Sequence, residues 1–220
     1  MTSYYFRIFA FLFMPLISTA QVVNNYIVQP SINLRWDNNG RWMFNSALEH
    51  RSLINNEWNV LHVQAVQFAS YEIGFHSQIG LGVMYRELFD DQRPEELRFT
   101  EQFVYARKYN NLKIAHRLRW DQRIRGENLT HRWRYRLSGS IPLNGGTVDA
   151  TEFYITSRLE TIFIAQANKK SGYDQRVAIG LGRALNKNMK LQLVTEYRWE
   201  DYTNDLKRSL FINLGVFYSL

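Results

Sequence analysis
The most constraining feature of the chain is a ladder of arginines spaced two apart. From Leu112 to Arg125, Leu112, Ile114, Leu118, Trp120 and Ile124 alternate with Lys113, Arg117, Arg119, Asp121, Arg123 and Arg125. The next segment repeats the pattern, with Trp133, Tyr135, Leu137 and Gly139 opposing Arg132, Arg134, Arg136 and Ser138. A helix turns 100° per residue and would scatter these arginines around its axis. Only an extended strand, whose side chains point alternately to its two faces, collects them on one side.

The same period runs through most of the chain. Phe153, Ile155, Leu159 and Phe163 oppose Glu152, Tyr154, Thr156, Arg158 and Glu160, while Leu191, Leu193, Tyr197 and Trp199 oppose Lys190, Gln192, Glu196, Arg198 and Glu200. At the C-terminus, Leu210, Ile212, Leu214, Val216, Tyr218 and Leu220 share one face, with Phe211 and Phe217 standing as exceptions on the polar one. Weaker alternation covers 26–36, 41–51, 58–71, 74–87, 97–108 and 172–184. These segments number eleven. Single-chain bacterial barrels have an even count, so ten or twelve strands are expected. Trp36 and Trp42 share a face if Asn38-Asn39-Gly40 makes a three-residue turn with Gly40 left-handed. No helical domain, linker or long insertion interrupts the pattern, so the expected fold is a single all-β, antiparallel up-and-down barrel.

Composition narrows the setting. The 220 residues contain no cysteine, which excludes a disulfide scaffold, a thiolate nucleophile and Cys-ligated zinc. Residues 1–20 carry Arg7, an apolar run from Ile8 to Ile17 and small residues before Gln21, the pattern of a cleaved signal peptide. The barrel domain is then 21–220. Removing Arg7 takes the formal charge from +7 to +6. In an exported chain that charge does not point to nucleic acid. A soluble barrel turns its apolar face inward, whereas a membrane barrel turns it toward lipid. Long segments, Trp and Tyr near segment ends, and a C-terminal strand ending on Leu220 favour the membrane arrangement in an outer membrane. A C-terminal strand of this kind also implies handling by barrel-assembly machinery.

The run His116-Arg117-Leu118-Arg119-Trp120-Asp121-Gln122-Arg123, followed by Arg132-Trp133-Arg134-Tyr135-Arg136-Leu137 and Ile141-Pro142-Leu143, resembles domain-of-unknown-function family 2490. Glu160, Tyr173-Asp174-Gln175-Arg176 and Glu196-Tyr197-Arg198 extend the similarity over nearly the whole mature chain. The resemblance implies an outer-membrane β-barrel and supplies no catalytic residue.

Facing lipid, each arginine would cost about 2–4 kcal/mol at the bilayer midplane, so the ladder is expected to line the lumen. The expected lining is Arg117, Arg119, Asp121, Arg123, Arg132, Arg134, Arg136, Arg158, Glu160, Glu196, Arg198 and Glu200, with Glu101 and Glu152 as further carboxylate partners. Such a lining serves either as an ion-paired plug or as a narrow, porin-like passage or binding site for small anionic solutes. No catalytic role is expected. The alternatives are a rim enzyme acting on lipid or peptide, with His62 and His76 as its only plausible pair, and a soluble periplasmic ligand-binding barrel. Ser46 and His50 share a face but stand about 13 Å apart along a strand, too far for a dyad. His116 and His131 fall on apolar faces. Neither metal-ligand spacing nor a Gly-rich phosphate loop is present, and no cofactor is expected.

Overall fold
The computed structural model describes residues 23–37, 40–55, 57–89 and 94–220. The leader expected at 1–20 and the turn residues Asn38 and Asn39 lie outside them. Eleven strands follow in chain order: β1 (Asn25–Asp37), β2 (Trp42–Ile54), β3 (Trp58–Gly74), β4 (Ser77–Leu88), β5 (Glu96–Tyr109), β6 (Leu112–Arg125), β7 (Asn128–Pro142), β8 (Phe153–Gln166), β9 (Gly172–Ala184), β10 (Met189–Glu200) and β11 (Lys207–Ser219). No helix occurs among the described residues. Each strand pairs with its sequence neighbours, and β1 pairs with β11, so the sheet closes into a barrel.

The expectation of an even count does not hold. All eleven alternating segments are strands, and an odd number running up and down leaves the first and last pointing the same way. The closing pair β1–β11 is therefore parallel, from Asn25↔Ser209 to Arg35↔Ser219, while every other pair is antiparallel. The barrel edge where β1 starts is called the N-rim, and the edge where β11 ends the C-rim.

Local chemistry accounts for the turns. The β5–β6 and β6–β7 hairpins have two-residue connections that begin on left-handed Asn110 (φ 52°) and Gly126 (φ 53°), which suits the strands' right-handed twist. Trp36 opposes Phe44, so Trp36 and Trp42 do share a face, and Trp36 and Trp42 both stack on the Phe44 ring at 5.7 and 6.3 Å.

The faces are inverted relative to a soluble barrel. Among the described residues nine apolar ones are buried against fifteen polar or charged ones, while Leu81, Ile179, Leu118, Ile32 and Leu48 stand more than half exposed on the outer wall. Aromatic residues concentrate toward both edges of that wall. Trp120, Trp133, Phe163, Tyr173 and Tyr202 form a contact chain near the N-rim, and Trp36, Phe44, Trp42 and Tyr71 form one near the C-rim. Along β1, Tyr26 and Trp36 are ten residues apart. At about 3.3 Å per residue and a tilt of about 40°, that spans roughly 25 Å of barrel axis.

Candidate functional site
Strand parity decides what enters the barrel. β6 and β7 pair with Arg119↔Arg134, Arg117↔Arg136 and Asp121↔Arg132, so both arginine runs fall on the same face of the wall. That face is inward, because the alternate set Leu118, Trp133 and Tyr135 is exposed outside. All twelve residues expected to line the lumen point inward. Ten of them line an interior cavity of about 780 Å³, and Asp121 and Glu160 lie behind its surface, 0% and 2% exposed.

Two carboxylates organise the arginines. Glu160 on β8 meets Arg134 and Arg136 at 2.8 Å, Arg117 at 3.2 Å and Arg176 at 3.8 Å, drawing in guanidinium groups from three strands. Glu96, at the start of β5 and fully buried, holds Arg86 at 3.2 Å, Arg123 at 3.0 Å, Arg125 at 2.5 Å and Arg98. Asp121 adds a second contact to Arg134 at 3.2 Å and accepts a hydrogen bond from Thr100. Asp174 joins Arg132 and Arg176 at 3.3 and 3.5 Å, and Glu196 joins Arg198 and Arg158 at 2.5 and 3.6 Å. Charges held this deeply stay folded only when partnered, and Glu96, Glu160, Asp174 and Glu196 each serve two or more arginines while Asp121 serves Arg134.

The positive charge is nevertheless in surplus. Twelve arginines line the cavity against four carboxylates, Glu49, Asp174, Glu196 and Glu200. Adding Arg125 and the recessed Glu96, Asp121 and Glu160 gives thirteen against seven, a formal excess of +6. Arg51 and Arg119 have no ion pair among the described residues. Arg51 donates to Gln29 Oε1 at 2.7 Å and lies 5.0 Å from the Phe211 ring, while Arg119 donates to Gln102 Oε1 at 2.9 Å and lies 4.8 Å over Phe68. The Nε–H groups of Arg119, Arg132, Arg134, Arg158 and Arg176 are buried without an acceptor.

The Phe exceptions in β11 belong to this interior. Phe211, 1% exposed, is sandwiched between Arg198 (3.4 Å) and Arg51 (5.0 Å), so its ring faces supply negative potential that the carboxylates lack. Toward the C-rim, aromatic rings lie against the wall instead of crossing the lumen. A Cβ on Gly82 would come within 2.4 Å of the Phe68 ring, and one on Gly182 within 2.1 Å of Tyr154. Glycine at these two positions leaves room for the rings against the wall.

Several expectations are corrected. Glu101 faces outward, opposite Leu81 and Trp120, where its carboxylate accepts from Gln122 at 3.5 Å. Its parity is that of Phe99 and Phe103, a clue present in the sequence. Glu152 sits in the 143–152 connection and accepts from the backbone N–H of Asp149. His62 is buried inside near the N-rim, whereas His76 lies in the β3–β4 turn at the C-rim, so the pair cannot meet. Ser46 donates to Gln67 on the outer wall, and His116 and Tyr135 share a hydrogen bond there at 2.9 Å. Sequence reasoning missed Glu49, Arg51, Arg86, Glu96 and Arg98 as interior charges. Glu96 fell one residue outside its expected strand, which left Arg98 without its charged neighbour, and Arg86 stood alone among uncharged neighbours of the same parity. No three His, Asp or Glu side chains among the described residues are grouped to hold a metal ion.

Closed sheet, apolar exterior and ion-paired interior define an inverted β-barrel. The model of one family, described as protein of unknown function (DUF2490), matches residues 23–209, and the chain belongs to that family. No curated protein matches it.

Proposed function
We propose that this protein is an outer-membrane barrel whose interior binds small anionic solutes and admits them from the C-rim. One observation carries the reading: twelve arginines against four carboxylates on the wall of a single cavity. Ion pairing alone would call for near parity, whereas a formal excess of +6 in a low-dielectric interior calls for mobile anions or an anionic ligand. Planar guanidinium groups with free Nε–H donors suit phosphate and carboxylate oxygens. The largest fully buried side chains, Phe211, Ile162, Glu96, Asp121, Ser52 and Ser209, lie in the N-rim half or at mid-barrel, which supports the C-rim as the open side. Arg35, Lys108, Lys113 and Lys190 stand on inward-facing positions at that edge and would concentrate anions there.

The membrane setting is supported by the polar burial, the roughly 25 Å apolar belt and the aromatic edges; export by residues 1–20 and insertion through β11 by the barrel-assembly machinery complete the reading. The role is binding or passage, not catalysis. The experiment is reconstitution in planar bilayers across a potassium chloride gradient. Expected is a conductance whose reversal potential marks chloride as the preferred ion, with selectivity reduced in Arg134→Ala and Arg119→Ala. A silent bilayer together with no anion binding in micelles would leave the ion-paired plug as the function. Release of the protein from membranes by salt alone would dispose of the membrane setting.

A further inference from the structure
The cavity wall has two halves of different chemistry. Toward the N-rim it is arginine and carboxylate. On the β10, β11, β1 and β2 side, between that region and the Arg35 and Lys190 edge, it is uncharged, with Asn33, Asn45, Gln192 and Asn213 interleaved with Phe217 and small residues. The amides there are held from one side only. Asn33 donates to Ser31 Oγ at 3.2 Å and the Val216 carbonyl at 3.4 Å, Asn45 to the Leu34 carbonyl at 3.2 Å, and Asn213 to the Val194 carbonyl at 3.4 Å. Each side-chain NH2 is thereby anchored to the barrel. The Oδ1 acceptors of these three residues have no donor among the described residues. Phe217 is folded onto Gly215, where a Cβ would approach its ring within 2.6 Å, so the ring lies along the wall beside those amides.

We infer that the anion accepted here is a sugar phosphate, its phosphate among the arginines and its ring in the neutral half. The inference rests on the anion reading above. The arginine half offers donors only and demands an acceptor-rich group, which a phosphate is. The amide half presents orphan acceptors and demands hydroxyl donors, which inorganic anions supply poorly and an alkyl chain does not supply at all. A sugar ring brings several hydroxyls for carboxamides, which both donate and accept, and a C–H face that packs on an aromatic ring. A volume of about 780 Å³ lies within the range of small-molecule sites, roughly 300–1,000 Å³, and exceeds the needs of a bare ion.

The test is calorimetric titration of the full folded barrel in micelles with four probes: glucose 6-phosphate, inorganic phosphate, glucose and butyl phosphate. Glucose 6-phosphate is expected to bind at least about tenfold more tightly than inorganic phosphate or butyl phosphate, and glucose to bind weakest, since inorganic phosphate and butyl phosphate leave the amide acceptors without a donor and glucose leaves the buried guanidinium N–H groups without an acceptor. Asn45→Leu and Asn213→Leu should weaken glucose 6-phosphate about tenfold and leave inorganic phosphate unchanged. Equal affinities for glucose 6-phosphate and inorganic phosphate, or tightest binding of butyl phosphate, would overturn the saccharide and keep the anion site. If no anionic probe binds, both readings fall.

Discussion

Replacing Glu160 by Gln tests whether the interior is held by its few carboxylates. Glu160 is 2% exposed and is shared by Arg117, Arg134, Arg136 and Arg176 at 2.8–3.8 Å. With an effective dielectric of ~20, a unit pair 4 Å apart interacts by about 4 kcal/mol. Four such contacts do not simply add, because each guanidinium also repels the other three. Removing one partner of a buried pair typically costs about 3–5 kcal/mol, and Glu160→Gln is expected within that range since it strands Arg136 and Arg117 and leaves Arg134 only Asp121. Glu200→Gln is the control. Its side chain is 34% exposed, pairs with a single arginine, Arg176, at 3.9 Å, and accepts from Ser209 at 3.1 Å, a bond the Gln oxygen can keep, so the loss should stay under about 1 kcal/mol. Both variants would be folded into phospholipid vesicles at low salt and unfolded in urea, with tryptophan emission as the readout. Sulfate should recover part of the Glu160→Gln loss by binding the folded state among the freed arginines. Equal midpoints for the two variants would refute the reasoning, because the network would then carry no differential stability.

Gly82→Val should destabilise by about 1–3 kcal/mol and narrow the lumen, since its Cβ would strike Phe68 at 2.4 Å and push the ring off the wall; urea midpoint and single-channel conductance should fall together. Glu101→Leu should raise the vesicle-unfolding stability by about 1 kcal/mol, because it removes a carboxylate from the outer belt; a lower midpoint would contradict a lipid-facing Glu101. Phe211→Ala should cost about 3–5 kcal/mol, as it opens a cavity and removes the ring between Arg51 and Arg198, whereas Phe217→Ala, at a less buried position, should cost less in the same unfolding assay.

Strand positions were legible because period two survives any tertiary context in a one-layer wall. The expected segments 112–125, 172–184 and 190–200 fall within a residue of β6, β9 and β10. Burial was legible for the same reason. Every arginine sharing parity with Arg134 or Arg119 had to face inward once Trp133 and Leu118 faced outward. Pairing partners were harder to see, since which arginine meets which carboxylate depends on register. The fourfold sharing at Glu96 joins residues 86, 98, 123 and 125, whose meeting no spacing encodes. Strand number failed for a different reason. The even-count rule assumes antiparallel closure, and nothing in the alternation of β1 or β11 distinguishes a parallel neighbour from an antiparallel one. Glu101 shows how a charged residue can be given the wrong face when type is weighed above parity.

The parallel seam between β1 and β11 has a topological consequence. Since all strands run rim to rim and the first and last run the same way, whatever precedes Asn25 and whatever follows Ser219 emerge on opposite sides of the barrel. In a membrane, two epitopes, one inserted directly after the expected leader at 1–20 and one at the C-terminus, would report different compartments, one accessible from outside the intact cell and the other only after permeabilisation. An even-stranded barrel would show both from the same side. The orientation of the whole molecule, and with it the direction from which the C-rim is filled, can therefore be read from a single terminal tag.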